Sequence, residues 1–278
     1  MLSQKQIKHI TALKVKKYRE EYGQFIAEGH KLVYDLINSE FIIEGIYATS
    51  DWIALHTPLT WEKKITVFEI LPGEMERISA LSTPSPVLAV LKIPIDGCIN
   101  LPSCQLTNLP AHQFTSSLSL ALDDIRDPGN FGTIIRIADW FGINTVLCSE
   151  SCVELYNPKV VQATMGSIAR VKVVRCNLLQ ALTTLSGSDT LTGCQNDFPV
   201  YGAFLEGEQL FSQTLTNHGI IIIGNESRGI SSELVPFITK KLLIPSFGNS
   251  ELGKAESLNA AVATAIICAE FRRKIIKN

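Results

Sequence analysis

From about residue 118 the chain alternates short apolar runs with longer helix-like ones, and this alternation constrains its fold more than any other feature. SLSLALDD reads as a strand and is followed by GTIIRIADWFG, a helix closed by Gly142. TVLC, VKVVR, DTLTGC, GIIIIG and KLLIP read as further strands. Between them lie NPKVVQATMGSIA, a helix with Pro158 near its start, and LLQALTTL; SLNAAVATAIICAEFRRK closes the chain as a long helix. GIIIIG carries no polar alternation, so it is expected to be buried on both faces. Strands alternating with helices predict a parallel sheet covered on both sides, with a ligand site off the C-terminal strand ends.

The stretch before it is different. Residues 93–122 hold a single charged residue, Asp96, with prolines at 94, 102 and 110 and no sustained period, which reads as a connection between two domains. Residues 1–92 mix helix and strand: 28–38 reads as a helix buried on one face, and FIIEGIYAT, KITVFEI and SPVLAVLKIP as strands. The expected organisation is a small α/β domain over 1–92, a linker over 93–117 and a larger α/β domain over 118–278. Composition adds exclusions. With 46% hydrophobic and 19% charged residues the chain is an ordinary globular one, and no run nears the ~18 apolar residues of a membrane span. The N-terminus has no signal-peptide apolar region, so the expected compartment is the cytosol and no membrane partner is expected. The seven cysteines are an odd number in a long chain and read as reduced, buried thiols; Cys148 and Cys152 lack the further ligands a zinc site needs. Net charge is −2, yet residues 1–19 carry Lys5, Lys8, Lys14, Lys16, Lys17 and Arg19 with no acid, a block able either to meet phosphate or to form a solvated helix face.

Three loops follow strands and are rich in Gly, Asn and charge: 123–136, 224–229 and 244–259. No G-x-G-x-x-G follows a strand, and GNSELGKA has Ala255 where a P-loop places a hydroxyl. No G-x-S-x-G occurs, and none of the five histidines lies in these loops, which argues against Ser-His hydrolysis. The loops do hold Asn130, Arg136, Asn225, Glu226, Ser257 and Asn259. Singly, each has a structural reading. Arg136 can pair with Asp123 or Asp124 as well as with phosphate, Glu226 suits a helix start, and Ser257 is a candidate N-cap of the last helix. Chemistry requires all three loops to meet at one sheet edge.

At these loops the sequence resembles the SpoU/TrmH family of RNA ribose methyltransferases. Asn130, Gly132 and Arg136 match its first motif. The apolar strand followed by Gly224, Asn225, Glu226 and Gly229 matches the second, and Ile244, Pro245, Ser257, Leu258 and Asn259 match the third. FIAEGHKLVYDLI and STPSPVLAVL resemble the family's ribosomal-protein-like substrate-binding domain. Ile137, Ser246 and a longer 248–257 segment depart from the pattern.

The resemblance implies a knotted α/β methyltransferase domain, its sheet ending in a deep trefoil knot, behind a small RNA-binding domain. It implies S-adenosylmethionine as co-substrate, held at Gly224, Asn225, Ile244 and Leu258, with Gly193 on a neighbouring strand end, and no metal. It also implies a homodimer, for which the almost wholly apolar segment 260–267 is a suitable surface. The implied reaction is attack of a ribose 2′-hydroxyl on the donor methyl. Arg136 acts as clamp and electrostatic stabiliser; Asn130 positions Arg136 or the ribose; Glu226 and Asn259 fix the loops; Ser257 contacts substrate. Ribosomal RNA is the expected substrate ahead of transfer RNA. The rivals are a catalytically dead RNA-binding protein of this fold and a base-methylating relative.

Overall fold

The computed structural model describes residues 2–94, 117–185, 198–248 and 256–276. The chain divides into two compact units, Met1–Gly97 with Glu154–Arg170, and Cys98–Val153 with Val171–Asn278.

The first unit opens with α1 (Gln4–Ala12), whose start is fixed by a capping box. Ser3 Oγ accepts from Gln6 N at 3.2 Å and Gln6 Oε1 from Ser3 N at 2.9 Å. Then follow α2 (Lys16–Tyr22), β1 (Gln24–Glu28), α3 (His30–Ile37), β2 (Ile43–Ala48), α4 (Ser50–Glu62), β3 (Val67–Glu69), α5 (Pro72–Ile78) and β4 (Val87–Lys92). The sheet order is β1-β4-β2-β3, with β4 antiparallel to both neighbours and β2 parallel to β3. The helix expected over 28–38 begins only at His30, because Phe25 to Ala27 pair with β4 as part of β1. Helix α4, with Pro58 inside it, has no counterpart in the sequence reading.

Buried Glu28 ends β1 and organises the 79–85 loop: it accepts from Ser79 Oγ at 2.6 Å, Ala80 N at 2.9 Å and Ser85 N at 3.0 Å. Lys14 Nζ donates to Ser79 O at 2.5 Å. Burial lowers the Lys14 ammonium from its usual range, and the Glu28 charge opposes that shift.

Residues 154–170 were expected in the second domain but pack within the first unit. They form α7 (Pro158–Thr164), capped by Asn157, and a short 3₁₀ turn (Ser167–Ala169). Arg19, only 1% exposed, donates from Nε to Glu154 Oε1 at 3.0 Å, pairs with Glu154 Oε2, and donates from Nη1 to Leu13 O at 2.9 Å. The Phe25 and Tyr156 rings lie 4.5 Å apart. Gly166 has φ +96°, and a Cβ there would fall 2.1 Å from Asp35 Oδ2, so any side chain at this position strains the backbone and displaces Asp35. Arg19 therefore leaves the basic block that could meet phosphate; Lys5, Lys8, Lys16 and Lys17 remain exposed.

The second unit contains β5 (Leu118–Leu122), α6 (Pro128–Trp140), β6 (Thr145–Cys148), β7 (Lys172–Arg175), α8 (Leu178–Leu185), β8 (Val200–Phe204), β9 (Glu208–Gln209), β10 (Gly219–Ile223), β11 (Lys240–Leu243) and α9 (Ala260–Ile276). The sheet order is β7-β6-β5-β10-β8-β11-β9, and every pairing is parallel. All residues of β5 and β10 are buried, as continuous apolar runs require. From β5 the chain builds outward through β6 to β7, while β10 sits on the other side of β5 and leads to β8 and β11. The direction of winding thus switches between β5 and β10, and in open parallel sheets the ligand crevice lies at such a point. Strand β8 was not read from the sequence; the DTLTGC strand, Gly193 and most of the 93–117 linker lie outside the described residues.

Helices α6 and α9 pack together and run parallel. Asn259 bonds Asn130 at their starts, and Arg272 Nε donates to Phe141 O at 2.6 Å near their ends. Ala260, Ala261, Ile267 and Phe271 are buried, Phe271 edge-on against Tyr201 of β8, so the fold itself covers much of the apolar 260–267 segment. Val262 remains exposed on α9, as does Trp140 at the end of α6. Among the described residues no helix is long and apolar enough to cross a membrane.

Candidate functional site

The loops after β5 and β10 leave adjacent strands at the switch point, and the turn into α9 joins them. Asp127 caps α6, accepting from Asn130 N at 2.7 Å, which fixes Asn130 in the first turn. The Asn130 side chain is held at both ends. Its Nδ2 donates to Glu226 Oε1, and its Oδ1 accepts from Asn259 Nδ2 at 2.8 Å. An amide used as donor and acceptor at once cannot rotate without breaking both bonds. Three residues read separately from three motifs thus form one connected row.

Loop 224–229 is a tight turn, not the helix start expected for Glu226. Asn225 and Gly229 exchange backbone bonds at 3.0 and 2.9 Å. Asn225 Oδ1 accepts from Ser227 N at 2.9 Å and Arg228 N at 3.2 Å, while its Nδ2 donates to Asp124 O at 2.8 Å. Gly224 is dictated by close approach: a Cβ there would lie 2.3 Å from the Gly229 carbonyl carbon. The N-cap of α9 is Asn259 rather than Ser257. Asn259 Oδ1 accepts from Ala261 N at 3.0 Å and Val262 N at 3.2 Å. Ser257 is exposed and is not part of the hydrogen-bonded row.

Arg136 is exposed on α6, on the open face shared with Thr133 and Trp140. Neither suggested carboxylate takes it. Asp123 Oδ2 accepts from Ser231 N at 2.7 Å, and Asp124 Oδ1 bonds Arg126 Nε at 2.7 Å. Among the described residues Arg136 makes no ion pair or hydrogen bond. Its guanidinium is therefore uncommitted, on the same helix as Asn130 and six residues further along it.

The sequence reading missed the supports. Asp124 adopts φ +55°, a left-handed conformation that Asp tolerates better than most residues. Ser149 Oγ accepts from its N–H at 2.9 Å, and Cys152 Sγ accepts from Ile125 N at 3.3 Å. The 149–153 loop that supplies these groups is gripped by Arg175. Its Nη1 donates to Glu150 O at 2.7 Å and Cys152 O at 2.9 Å, and its Nη2 to Val153 O at 2.6 Å. Burial pushes the Cys148 and Cys152 thiols up from their ordinary range, so both stay protonated at neutral pH. Among the described residues no cluster of His, Cys, Asp or Glu suits a metal ion.

The residues proposed to hold a cofactor lie in the loops after β10 and β11, which flank β8, and in the turn before α9. Gly224 and Asn225 follow β10, Ile244 follows β11, and Leu258 precedes α9; Gly193 is outside the described residues. Large apolar side chains stand open there, Leu205 just after β8 and Phe247, 90% exposed, after β11.

Residues 117–269, more than half the chain, match the SpoU rRNA Methylase family. The chain belongs to that family. Residues 4–89 match the MRM3-like substrate binding domain. The 23S rRNA (guanosine(2553)-2′-O)-methyltransferase RlmP of Bacillus subtilis is 26% identical, over 96% of this chain and 95% of its own. The mitochondrial rRNA methyltransferase 3 of Xenopus tropicalis is 27% identical over 96% of this chain and 74% of its own. Among solved structures, a TrmH-family protein from Porphyromonas gingivalis has TM-score 0.78 and 35% identity, covering 99% of each chain. An AdoMet-bound rRNA methyltransferase from Sinorhizobium meliloti has TM-score 0.77 and 26% identity, covering 99% of this chain and 97% of that one. The matched family is one of rRNA methylases; the Bacillus relative is a 2′-O-methyltransferase, and the Sinorhizobium one was solved with AdoMet bound.

Proposed function

We propose that this protein methylates a ribose 2′-hydroxyl in ribosomal RNA through the three-loop cluster of its second unit. The supporting observation is the bonded row Glu226–Asn130–Asn259, with uncommitted Arg136 exposed further along the helix that carries Asn130. The substrate assignment rests on the rRNA-directed relatives and on the MRM3-like match over 4–89.

The donor supplies an electrophilic methyl group. The residues of this chain orient the weak hydroxyl nucleophile and stabilise the charge that develops on it. Arg136 offers a planar fork able to hold a phosphate and the neighbouring ribose together. An arginine does not surrender its proton, so the hydroxyl proton passes to phosphate or water while Arg136 stays cationic. Asn130 holds the start of α6 against the 225–229 turn, and Glu226 and Asn259 hold Asn130. Ser257, exposed beside the row, contacts substrate. Gly224, Asn225, Ile244 and Leu258 hold the donor, with Gly193 completing the set. The further features of this reading are a trefoil-knotted second unit, a cytoplasmic location and a homodimer. Exposed Trp140 and Val262 provide a face for the second copy.

Ribose-methylation mapping of total RNA from cells with and without the protein tests the substrate. The expected result is one ribosomal position that resists alkaline cleavage only when the protein is present. The same change on transfer RNA would reassign the substrate. Methylation on a base would move the chain to the base-modifying relatives, and an unchanged map would support a catalytically dead RNA-binding role.

A further inference from the structure

Two arginines converge on one carboxylate beside the asparagine row. Asp124 Oδ1 takes Arg126 Nε at 2.7 Å, and Asp124 Oδ2 lies 3.9 Å from Arg228 Nη1. Arg126 comes from the loop after β5 and Arg228 from the turn after β10, so the pair spans the switch point. The carboxylate is almost covered, its side chain 12% exposed, whereas those of Arg126 and Arg228 are 60% and 72% exposed. Asp124 is itself fixed on three sides: Ser149 Oγ at its N–H, Asn225 Nδ2 at its carbonyl, and its left-handed backbone.

The other carboxylates of these loops are occupied: Asp123 by Ser231 N, Asp127 by Asn130 N, and Glu226 by Asn130 Nδ2. Arg126 spends one N–H on Asp124, and Arg228 stands too far away for a hydrogen bond. Most of the donors of both forks therefore face solvent, with Asp124 fixing where they stand. A surface ion pair of this kind adds little stability, so stability does not account for the arrangement.

We propose that Arg126 and Arg228 form a phosphate seat for the RNA backbone, distinct from Arg136. This deepens the RNA methyltransferase reading and rests on it. The seat holds a phosphate flanking the target nucleotide and sets the register of the strand across the switch point; contacts to phosphate position a strand without reading its sequence.

The test is RNA binding by the full chain, measured against salt with unmodified ribosomal RNA transcribed in vitro. Arg126→Ala and Arg228→Ala are each expected to reduce the slope of log affinity against log salt by about 0.7, and the double variant by about twice that. KM for RNA rises with them. Arg126→Lys and Arg228→Lys restore the slope, because the charge is kept, and Lys172→Ala, at the exposed start of β7, changes nothing. Titration with S-adenosylmethionine monitors the fold. Unchanged affinity and slope in the double variant would overturn the proposal, and loss of cofactor binding would make the pair a structural brace. Binding is read without turnover, so a wild-type protein that binds RNA with the predicted arginine dependence but transfers no methyl would sink the catalytic reading and leave the seat standing.

Discussion

The two units solve the problem of fixing polar groups in opposite ways. In the first, the strongest polar contact is deep: Arg19 and Glu154, separated by 135 positions, are paired out of solvent. In the second, the polar network is shallow, with loops at strand ends laced by amides and backbone bonds and the charged tips of Arg126, Arg136 and Arg228 left outward. A buried ion pair gains little net stability but is costly to break. A shallow network at a switch point keeps its donors available to a ligand. The first pattern is that of a scaffold, the second that of a working surface.

The largest expected effect follows from the first pattern. Deleting residues 1–92 removes Arg19 and Phe25 and leaves Glu154 and Tyr156 without partners. The truncated chain is expected to lose cooperative unfolding or to aggregate, measured by thermal melting monitored by circular dichroism. A cooperative, monodisperse fragment would break the contrast. Arg19→Ala in the full chain is expected to cost about 3–5 kcal/mol in denaturant unfolding, because it strands a buried carboxylate. Replacing both partners, Arg19→Met with Glu154→Leu, should recover most of that loss; no recovery would mean that the pair specifies more than local packing.

The second unit should respond with smaller changes in stability. Asn259→Ala removes the N-cap of α9 and one of the two bonds holding Asn130. Cap loss costs about 1 kcal/mol. Methyl transfer should fall by more than that cost alone produces, since the motif row is cut. Activity falling only in step with stability would reduce Asn259 to a cap. The smallest effect is expected at the thiols. Cys268 is buried, which pushes its thiol up to about 12, and Cys148 and Cys152 are shifted in the same direction. In peptides mapped after brief alkylation of the native protein near pH 8, these three should remain unmodified. Rapid labelling there would show that the second unit opens more readily than its packing implies.

The contrast also explains what was legible in the sequence. The parallel sheet could be read because β10 is an unbroken apolar run and β5 is interrupted only by Ser119, and the three-loop cluster because its Asn, Gly and Arg spacings are local. FIAEG and STPSPV, read only by their resemblance to a substrate-binding domain, are joined in the structure by Glu28, which accepts from Ser85 N. The membership of 154–170 in the first unit could not be read, because nothing near Arg19 reveals a partner so far along the chain. The N-cap at Asn259 and the turn at Glu226 were missed because Ser, Asn and Glu suit several local roles, and only the Asn130 side chain, arriving from another loop, decides among them. Arg175 was missed because its partners are backbone atoms, which sequence spacing does not display, and Asp124, read only as a partner for Arg136, is held instead by the side chains of Ser149, Asn225 and Arg126 from three other positions.

The central claim is that the shallow network performs methyl transfer while other groups hold the donor. Arg136→Ala separates these roles. Calorimetric titration of S-adenosylmethionine and tritium transfer to ribosomal RNA should be run together on this variant and on Arg136→Lys. The account predicts donor binding close to that of the unaltered protein and transfer reduced by about a hundredfold or more in both variants, because lysine keeps the charge but loses the fork. Turnover near the unaltered level in Arg136→Ala, or disappearance of donor binding, would contradict it.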